Sequence, residues 1–291
     1  VAKENINTQV WSLYNSGINL LVSSNSGFGQ IDTHDNYKQL IDYNITGRVF
    51  QIKESKIFND YLYIRANKGI FLIDKANPTK YEILYNGKSA SYIKELVSKN
   101  EIWFTVAKKG VHRINLVSSN IEDLNNSEIK VYDDNYGLDK ARNKIFKIYD
   151  QLIFKTQDNI LQFDEKNETF NRSDVFDLIP NIENKKLLKI KKTNNETYWM
   201  NFTERRDGKR VQEFYELNSS LDVKKLPFNS LAHHLAIEFF FEENVTLMKS
   251  NEGIVIIESS SSQSNESNTI ISSIKNNDIY IHNLGPEKDL L

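Results

Sequence analysis

A short pattern returns six times along this chain of 291 residues: an apolar strand, a turn, a glycine, and an acidic or amide residue five positions later. The copies lie at 17–32, 60–74, 100–115, 150–164, 196–216 and 243–258. Self-similarity at a period of roughly 40–50 residues is typical of propellers and other repeat arrays. The repeat therefore constrains the architecture before any single side chain is interpreted.

Equivalent residues can be assigned in every copy. One repeat position is held by Leu20, Tyr63, Trp103, Ile153, Trp199 and Thr246. A later position is glycine in four copies and Asn159 in another, namely Gly27, Gly69, Gly110 and Gly253. Asparagine tolerates a positive φ better than most residues, so the exchange supports a turn there. Asp32, Asp74, Asn115, Asp164 and Glu258 follow five residues later. The fifth copy differs, and its charged run ERRDGKR predicts an enlarged turn over 204–210.

Each copy is flanked by further strand-like segments. The segments before the hairpins are Gln9–Tyr14, Arg48–Lys53, Tyr92–Val97, Lys144–Tyr149, Leu187–Lys192 and Leu235–Phe241. Those after the first four hairpins are Tyr37–Tyr43, Lys80–Tyr85, Glu128–Tyr132 and Glu168–Arg172. Four antiparallel strands per unit make a propeller blade. The sequence thus predicts an all-β fold, a single β-propeller over 1–258, with six or seven blades.

The last part of the chain departs from the repeat. Residues 259–268 form a serine-rich polar stretch that cannot build a core, and strands are predicted over 268–275 and 278–282. Residues 259–291 are therefore interpreted as a polar linker with strands that either close the propeller or begin a following domain.

Composition excludes several classes of function. A net charge of −2 gives no electrostatic basis for binding nucleic acid through this segment. The absence of cysteine excludes disulfides and thiolate sites. No apolar run reaches the ~18 residues of a membrane helix, and a chain that opens on Val1 is interpreted as a mature or excised segment.

Two copies carry a family resemblance. NEIWFTVAKKGVHRIN (100–115) and the segment YGLDKARNKIFKIYDQLIFKTQDNILQFD (136–164) resemble the two-component regulator propeller repeat, whose pattern is roughly a strand, a turn, "lWigT", and "GL" followed by Asp. The copies are degenerate, and only Trp103 and Trp199 keep the tryptophan. The resemblance implies a periplasmic or otherwise extracytoplasmic sensor domain of a Bacteroidetes-type signalling protein. It also implies an oligosaccharide ligand, a homodimer, and an immunoglobulin-like domain, membrane helix and output domain outside this segment.

The candidate functional residues have structural interpretations. Trp11, Trp103 and Trp199 are expected in the core rather than as sugar platforms. The acids Asp32, Asp74, Asp164 and Glu258 recur once per blade, which favours turn capping at strand ends over catalysis.

The histidines and the charged run are weighed in the same way. His233 and His234 form the one local histidine pair, whereas His34, His112 and His282 are scattered, and no metal-binding spacing occurs. The run at 204–210 is expected to be a solvated hairpin tip, or else a contact for an acidic ligand or partner. We therefore predict no catalytic, cofactor or metal site and assign no ligand-binding residues. The alternatives to a sensor are a polysaccharide hydrolase or lyase and a protein-binding scaffold.

Overall fold

Antiparallel sheets account for most of the described chain, one sheet for each repeat. The structure, a computed structural model, describes residues 8–139, 143–193 and 195–226 in full. Beyond these it describes the strand backbone alone at 236–242, 245–250, 253–261, 267–275 and 278–286. The chain divides into two compact units, Val1–Arg172 and Ser173–Leu291, and each is described by itself.

The first unit contains four sheets of four strands, each paired in chain order. Sheet 1 comprises β1 (Val10–Asn15), β2 (Leu20–Ser24), β3 (Gly27–Ile31) and β4 (Tyr37–Ile41). Sheet 2 comprises β5 (Val49–Glu54), β6 (Tyr61–Ala66), β7 (Gly69–Asp74) and β8 (Tyr81–Asn86). Sheet 3 comprises β9 (Ala90–Leu96), β10 (Glu101–Val106), β11 (Gly110–Asn115) and β12 (Glu128–Tyr132). Sheet 4 comprises β13 (Lys144–Ile148), β14 (Gln151–Lys155), β15 (Ile160–Asp164) and β16 (Thr169–Arg172).

The second unit contains one sheet of four strands and one of five. Sheet 5 comprises β17 (Lys186–Lys192), β18 (Tyr198–Arg206), β19 (Lys209–Leu217) and β20 (Val223–Lys225). Sheet 6 comprises β21 (Ala236–Glu242), β22 (Val245–Ser250), β23 (Gly253–Ser261), β24 (Ser267–Lys275) and β25 (Asp278–Pro286).

Helical structure in the described residues is limited to short turns. One α-helical turn, α1, spans Tyr43–Thr46. The 3-10 helices span Val97–Lys99, Ile121–Asn126, Asp134–Tyr136, Asp174–Phe176 and Ile182–Asn184. None of the described helices is long and apolar enough to cross a membrane.

The core of the first unit lies between successive sheets. Because side chains alternate along a strand, β6 sends Leu62 and Ile64 into the cluster shared with sheet 1, and Tyr63 into the cluster shared with sheet 3. A third cluster, centred on Trp103 and Phe154, joins sheets 3 and 4. Strands that are buried on both faces explain why the central hairpins are almost continuously apolar.

The predicted all-β sheets and their strands are confirmed. All six residues of the first repeat position lie in the second strand of their sheets, and the predicted first and fourth strands correspond to strands of the structure. Gly27, Gly69 and Gly110 each open a third strand with positive φ, as predicted. Asn159 lies in the expected turn without positive φ, since Thr156 closes that turn by hydrogen bonds to the Asn159 carbonyl and amide.

Three other expectations are corrected. The fifth hairpin has no enlarged turn, because β18 and β19 extend to Arg206 and Lys209, and only Asp207 and Gly208 turn the chain. Both have positive φ, of 50° and 75°, which is the geometry that favours Asp-Gly in a two-residue hairpin. Glu258 lies within β23 rather than at a strand end. The polar stretch is shorter than predicted, because β23 and β24 extend into both of its ends.

The strands of the tail lie where they are predicted. β24 and β25 cover the predicted segments 268–275 and 278–282 and continue the sheet that begins with β21. Their role in closing the propeller or leading into another domain stays a prediction.

Candidate ligand-binding site

Sheet topology brings two kinds of loop to the same end of each sheet. In a four-stranded antiparallel sheet, the turn between the second and third strands lies at the same end as the segment that leaves the fourth strand. We call this the 2–3 end. In the first unit its turns include Asn67–Lys68 and Ala107–Lys109, and the described parts of its connections include 42–48 and 133–139. Loops on a rigid scaffold commonly carry binding residues, so this end is the first place to seek a site.

The loops of the 2–3 end are fixed by hydrogen bonds. In sheet 2 the Lys68 amide donates to the Thr46 carbonyl over 3.2 Å, and the Gly87 amide donates to the Lys68 carbonyl over 3.0 Å. Between sheets 3 and 4 the Gln157 amide donates to the Asp139 carboxylate. The hairpin tips are therefore held to the connecting segments, which provides a preformed surface.

An open cavity of about 600 Å³ lies at the 2–3 end of sheet 3. Its volume falls within the range of about 300–1,000 Å³ that is usual for small-molecule sites. Hairpin residues, strand residues and the connection after β12 form its wall: Lys108, Lys109, Gly110, His112, Val131, Asp133, Asp134 and Asp139. These segments meet because Gly110, at φ 86°, lets β11 approach the Tyr132 carbonyl, which would lie 2.0 Å from a Cβ at that position.

His112 is the buried polar residue of this cavity. The residue is 4% exposed, and its ring stacks on Phe104 at 5.0 Å and meets Tyr85 edge-on at 5.3 Å. Burial, with a smaller contribution from the Lys109 charge, lowers the pKa of His112 to about 4. The ring is therefore neutral at pH 7. Its Nδ1 atom is buried and has no hydrogen-bond partner.

The acidic part of the wall is held by the connection after β12. Asp133 caps the 3-10 helix by accepting a hydrogen bond from the Asn135 amide over 3.0 Å. Asp139 holds the amide of Gln157. Each of these carboxylates has a second oxygen, so the wall offers hydrogen-bond acceptors at fixed places.

A second cavity lies at the opposite end of sheets 3 and 4. It measures about 80 Å³ and is lined by Trp103, Phe163, Gln162 and neighbouring residues. At about 30 Å³ per water it would hold two or three water molecules. It is too small for a sugar ring, so the open cavity is the better candidate site.

The structure places the predicted tryptophans differently from one another. Trp103 is buried as expected, 1% exposed, and donates from Nε1 to Glu101 over 2.7 Å. Trp199 is half-buried in β18. Trp11 contradicts the prediction, because it is 45% exposed and donates from Nε1 to Asn25. It lies in β1, whose outward positions include Val10 and Leu13.

The repeated acids act as turn caps where the structure describes their contacts. Asp74 accepts hydrogen bonds from the amides of Ala76 and Asn77, at 2.8 and 3.1 Å. Asp32 and Asp164 make the same kind of turn. In each case the backbone hydrogen bonds account for the carboxylate, and the prediction of a structural role is confirmed for these three.

Part of the charged run at 204–210 is buried rather than solvated. Glu204 and Glu213 both pair with Lys185, at 3.1 and 3.3 Å, and all three side chains are at least nine-tenths buried. Burial of Glu213 opposes its charge, but hydrogen bonds from Lys225, Tyr215 and Arg206 outweigh it and lower its pKa to about 2. This ion-pair network corrects the prediction of a purely solvated tip.

The remaining histidines are His34, His233, His234 and His282. His34 is exposed, His282 lies in β25, and His233 and His234 lie outside the described residues. Among the residues that the structure describes, no group of three or more histidine, aspartate and glutamate side chains is arranged to hold a metal ion. His112 was not singled out from the sequence, although it stands at a repeat position where Phe71 and Leu161 are buried.

Comparisons with known proteins identify the fold. No family model matches the chain, and no curated protein matches it. The structure is similar to the extracellular domain of BT4673 from B. thetaiotaomicron, described as a proposed one component or hybrid two component system, with a TM-score of 0.61 and 12% identity. The match covers 97% of this chain, which spans 42% of that domain.

Two other structures are similar to the chain. The AfRom2 CNH domain has a TM-score of 0.54 and 10% identity, over 97% of this chain and 96% of that one. A streptogramin B lyase has a TM-score of 0.50 and 12% identity, over 98% and 86%. The chain therefore has the predicted β-propeller fold. The resemblance noted in the sequence agrees with the similarity to a signalling protein's extracellular domain.

Proposed function

We propose that this chain is an extracytoplasmic sensor domain of a bacterial signalling protein and that it binds an oligosaccharide without catalysing a reaction. The observation that supports this proposal is its structural similarity, over 97% of the chain, to an extracellular domain of such a protein. The open cavity at the 2–3 end of sheet 3 offers room for a ligand on preformed loops.

Signalling would follow from a change in association. We propose that the domain works as a homodimer and that its ligand shifts the balance between two arrangements, because a ligand can move an equilibrium only by its differential affinity for the two states. A membrane helix and an output domain would belong to other parts of the full-length protein.

The proposal is tested by binding and by product analysis together. The purified chain is titrated calorimetrically with neutral, uronate-containing and amino-sugar oligosaccharides of two to six residues. Sedimentation velocity with and without the bound sugar measures its association state. Saturable binding with unaltered sugar after overnight incubation is the expected result. Failure of every sugar in the panel to bind would refute the oligosaccharide proposal.

A lyase is the second candidate function. Its support is the similarity in fold to streptogramin B lyase, which extends over 98% of this chain. Chromatography of the incubated oligosaccharides, and of a streptogramin B substrate, distinguishes this candidate, since a lyase would convert substrate in proportion to the amount of enzyme.

A further inference from the structure

The first strands of sheets 1, 2 and 3 each contain a β-bulge close to the 2–3 end. In β1 the extra residue is Trp11, and in β5 it is Phe50. In β9 two residues, Tyr92 and Ile93, stand opposite Phe104 alone. A bulge changes the direction in which a side chain points, and bulges are common next to active sites. Three successive sheets therefore present an aromatic side chain from a bulge near the start of their first strand.

Two of these aromatic side chains remain accessible. Trp11 is 45% exposed and Tyr92 is 41% exposed. Tyr92 also has a φ of 54°, a left-handed conformation that is unfavourable for a bulky residue. Backbone strain of this kind is concentrated at functional sites. Because the Tyr92 ring is largely outside the core, core packing does not explain why tyrosine stands where glycine or asparagine would suit the backbone.

Arg65 of β6 links the aromatic residues to one another. Its Cζ atom lies 5.2 Å from the centre of the Phe50 ring, and that ring meets Trp11 edge-on at 5.8 Å. Its Nη1 atom donates to the carbonyl of Ala90, two residues before Tyr92, over 3.4 Å. Four side chains thus follow one another across sheets 1, 2 and 3. We call them the aromatic–arginine row: Trp11, Phe50, Arg65 and Tyr92.

The guanidinium of Arg65 lacks an anionic partner. Partial burial lowers its pKa, and the neighbouring Tyr92 side chain opposes that shift. In the part of the chain that the structure describes, it donates to the Ala90 carbonyl and no carboxylate pairs with it. An arginine has five N–H donors, and no nitrogen of Arg65 is among the buried polar atoms left without a partner, so its other donors face solvent.

The surroundings of Arg65 favour a negatively charged ligand. The first three residues of β1, β5 and β9 include neither aspartate nor glutamate. A guanidinium can hold a carboxylate by two parallel hydrogen bonds, which fixes both the position and the orientation of the anion. Indole and phenol rings add a flat apolar surface with one polar atom, and Trp11 already directs its Nε1 atom to Asn25 over 2.9 Å.

We propose that the aromatic–arginine row binds an acidic sugar unit, whose carboxylate pairs with Arg65 and whose ring packs against the exposed aromatic side chains. The proposal rests on the oligosaccharide-binding function above and narrows the ligand to uronate-containing oligosaccharides. It places the acidic unit on the first strands, at the same end of the sheets as the open cavity but on residues that do not line it.

The key variants are Arg65→Gln and Arg65→Lys, tested with an oligouronate and with its methyl ester. The ester has the same rings without the charge. Arg65→Gln should weaken binding of the acid about 10- to 100-fold, because charge-assisted hydrogen bonds are the stronger kind, and should leave the ester nearly unaffected. Arg65→Lys keeps the charge without the two-pronged geometry and should fall between. A purely structural arginine would alter stability without changing the ratio of the two affinities.

Tyr92→Asn tests the aromatic part of the row separately. Asparagine tolerates a positive φ and has no ring. Binding of both the acid and the ester should weaken about fivefold, while the urea midpoint should stay the same or rise as the strain is relieved. A tyrosine with only a structural role would give lower stability and unchanged affinity.

Each variant has a matched control outside the row. Arg210→Gln makes the same change at an exposed arginine of β19. Tyr43→Asn makes the same change at a tyrosine of α1 that is 43% exposed. Both controls should bind the acid as the wild type does.

Tryptophan fluorescence gives a readout at the row itself. Binding of the oligouronate should change the emission of the wild type, because Trp11 is exposed and would be covered by the sugar. The change should be lost in Trp11→Phe and kept in Trp199→Phe.

The experiment is calorimetric titration of the wild type and these variants with neutral, amino-sugar and uronate-containing oligosaccharides and with the methyl ester, together with urea unfolding of each protein. Preference for the oligouronate over its ester, lost in Arg65→Gln and kept in both controls, is the expected result. Oligouronate affinity that is unchanged in both Arg65→Gln and Tyr92→Asn would overturn the site and leave the proposed function standing. Equal affinity of the wild type for acid and ester, or preference for a neutral or amino sugar, would overturn the acidic class of ligand. If no sugar binds to the wild type, the function and the site are refuted together.

Discussion

The carboxylate of Glu95 gives the sharpest test of what stabilises the first unit. Glu95 lies in β9, is 4% exposed, and receives four donors from the segment around the β5–β6 connection. The hydroxyls of Ser55 and Tyr63 donate over 2.7 and 2.8 Å. The amides of Lys56 and Ile57 donate over 2.9 and 3.2 Å. One side chain of sheet 3 thus satisfies the polar groups of a loop in sheet 2.

The cost of removing this carboxylate follows from its donors. In Glu95→Ala the two hydroxyls can rotate toward other acceptors, but the two backbone amides cannot. An unpaired buried amide costs about 1–3 kcal/mol; the Ile57 bond is buried, whereas the Lys56 bond is only part-buried and water can replace some of it, so the variant should lose about 2–4 kcal/mol of unfolding free energy. Glu95→Gln keeps one acceptor oxygen but turns an NH₂ group toward the donors, and should lose about 1–3 kcal/mol.

Urea unfolding followed by tryptophan fluorescence measures these losses. Replacing Trp11 and Trp199 by Phe leaves Trp103, which is buried in the same unit, as the reporter. Amide hydrogen exchange at Lys56 and Ile57 should accelerate selectively in Glu95→Ala.

Asp74→Ala is the matched control for Glu95→Ala. Asp74 also accepts from two backbone amides, but at an exposed turn where water replaces it, so its loss should cost about 1 kcal/mol or less. If Glu95→Ala costs no more than this control, the assigned role of the buried carboxylate is wrong.

Three further predictions concern the backbone, a buried ion pair and pH. Gly110→Ala should cost more than about 3 kcal/mol, because its Cβ would lie 2.0 Å from a carbonyl oxygen, whereas Gly208→Ala, at similar φ with nothing within 4 Å, should cost about 1–2 kcal/mol by urea unfolding. Arg113→Ala leaves the buried Glu101 carboxylate without its ion partner and should lower the free energy of unfolding by about 3–5 kcal/mol. Lys99→Ala removes a half-exposed ion pair and should lower it by less than about 1 kcal/mol, so equal losses would contradict the burial argument. The pKa of His112 is about 4 in the folded protein and near 6.5 in the unfolded chain, so its contribution to the free energy of unfolding is full above pH 6.5 and falls as the pH drops toward 4. Over this range the free energy of unfolding of His112→Phe should decline less than that of the wild type, by up to about 3 kcal/mol. An unaltered pH profile would refute the assignment.

The strands could be predicted because all six copies of the repeat must meet the same packing requirement. A central hairpin that packs sheets on both sides must be apolar at nearly every position, which distinguishes it from a surface strand. The fourth strand of each sheet was harder to predict, because an outer strand buries only one of its faces. β12 was predicted with its correct bounds, whereas the short β20 was not predicted at all.

The wrong predictions concern residues whose burial depends on tertiary contacts rather than on the local sequence. Trp11 belongs to a strand in which most side chains are exposed, and no pattern within Val10–Asn15 states which face is covered. The fifth hairpin was misjudged for a different reason. Its charged run has the composition of a solvated turn, but Glu204 is buried because it forms an ion pair with Lys185, about 20 residues earlier in the chain.

The candidate site could be located from the sequence only by looking for positions at which one copy of the repeat differs from the others. Conserved repeat positions describe the scaffold, and the scaffold is common to every sheet. A site for one ligand must lie where one copy departs from the others. His112 departs from Phe71 and Leu161 in side-chain polarity but not in place or burial, so the fold is kept while one unpaired nitrogen is added. The acids that complete the cavity come from a connection whose length has no counterpart between sheets 1 and 2 or sheets 2 and 3. Their proximity to His112 depends on tertiary structure, and no spacing in the sequence expresses it.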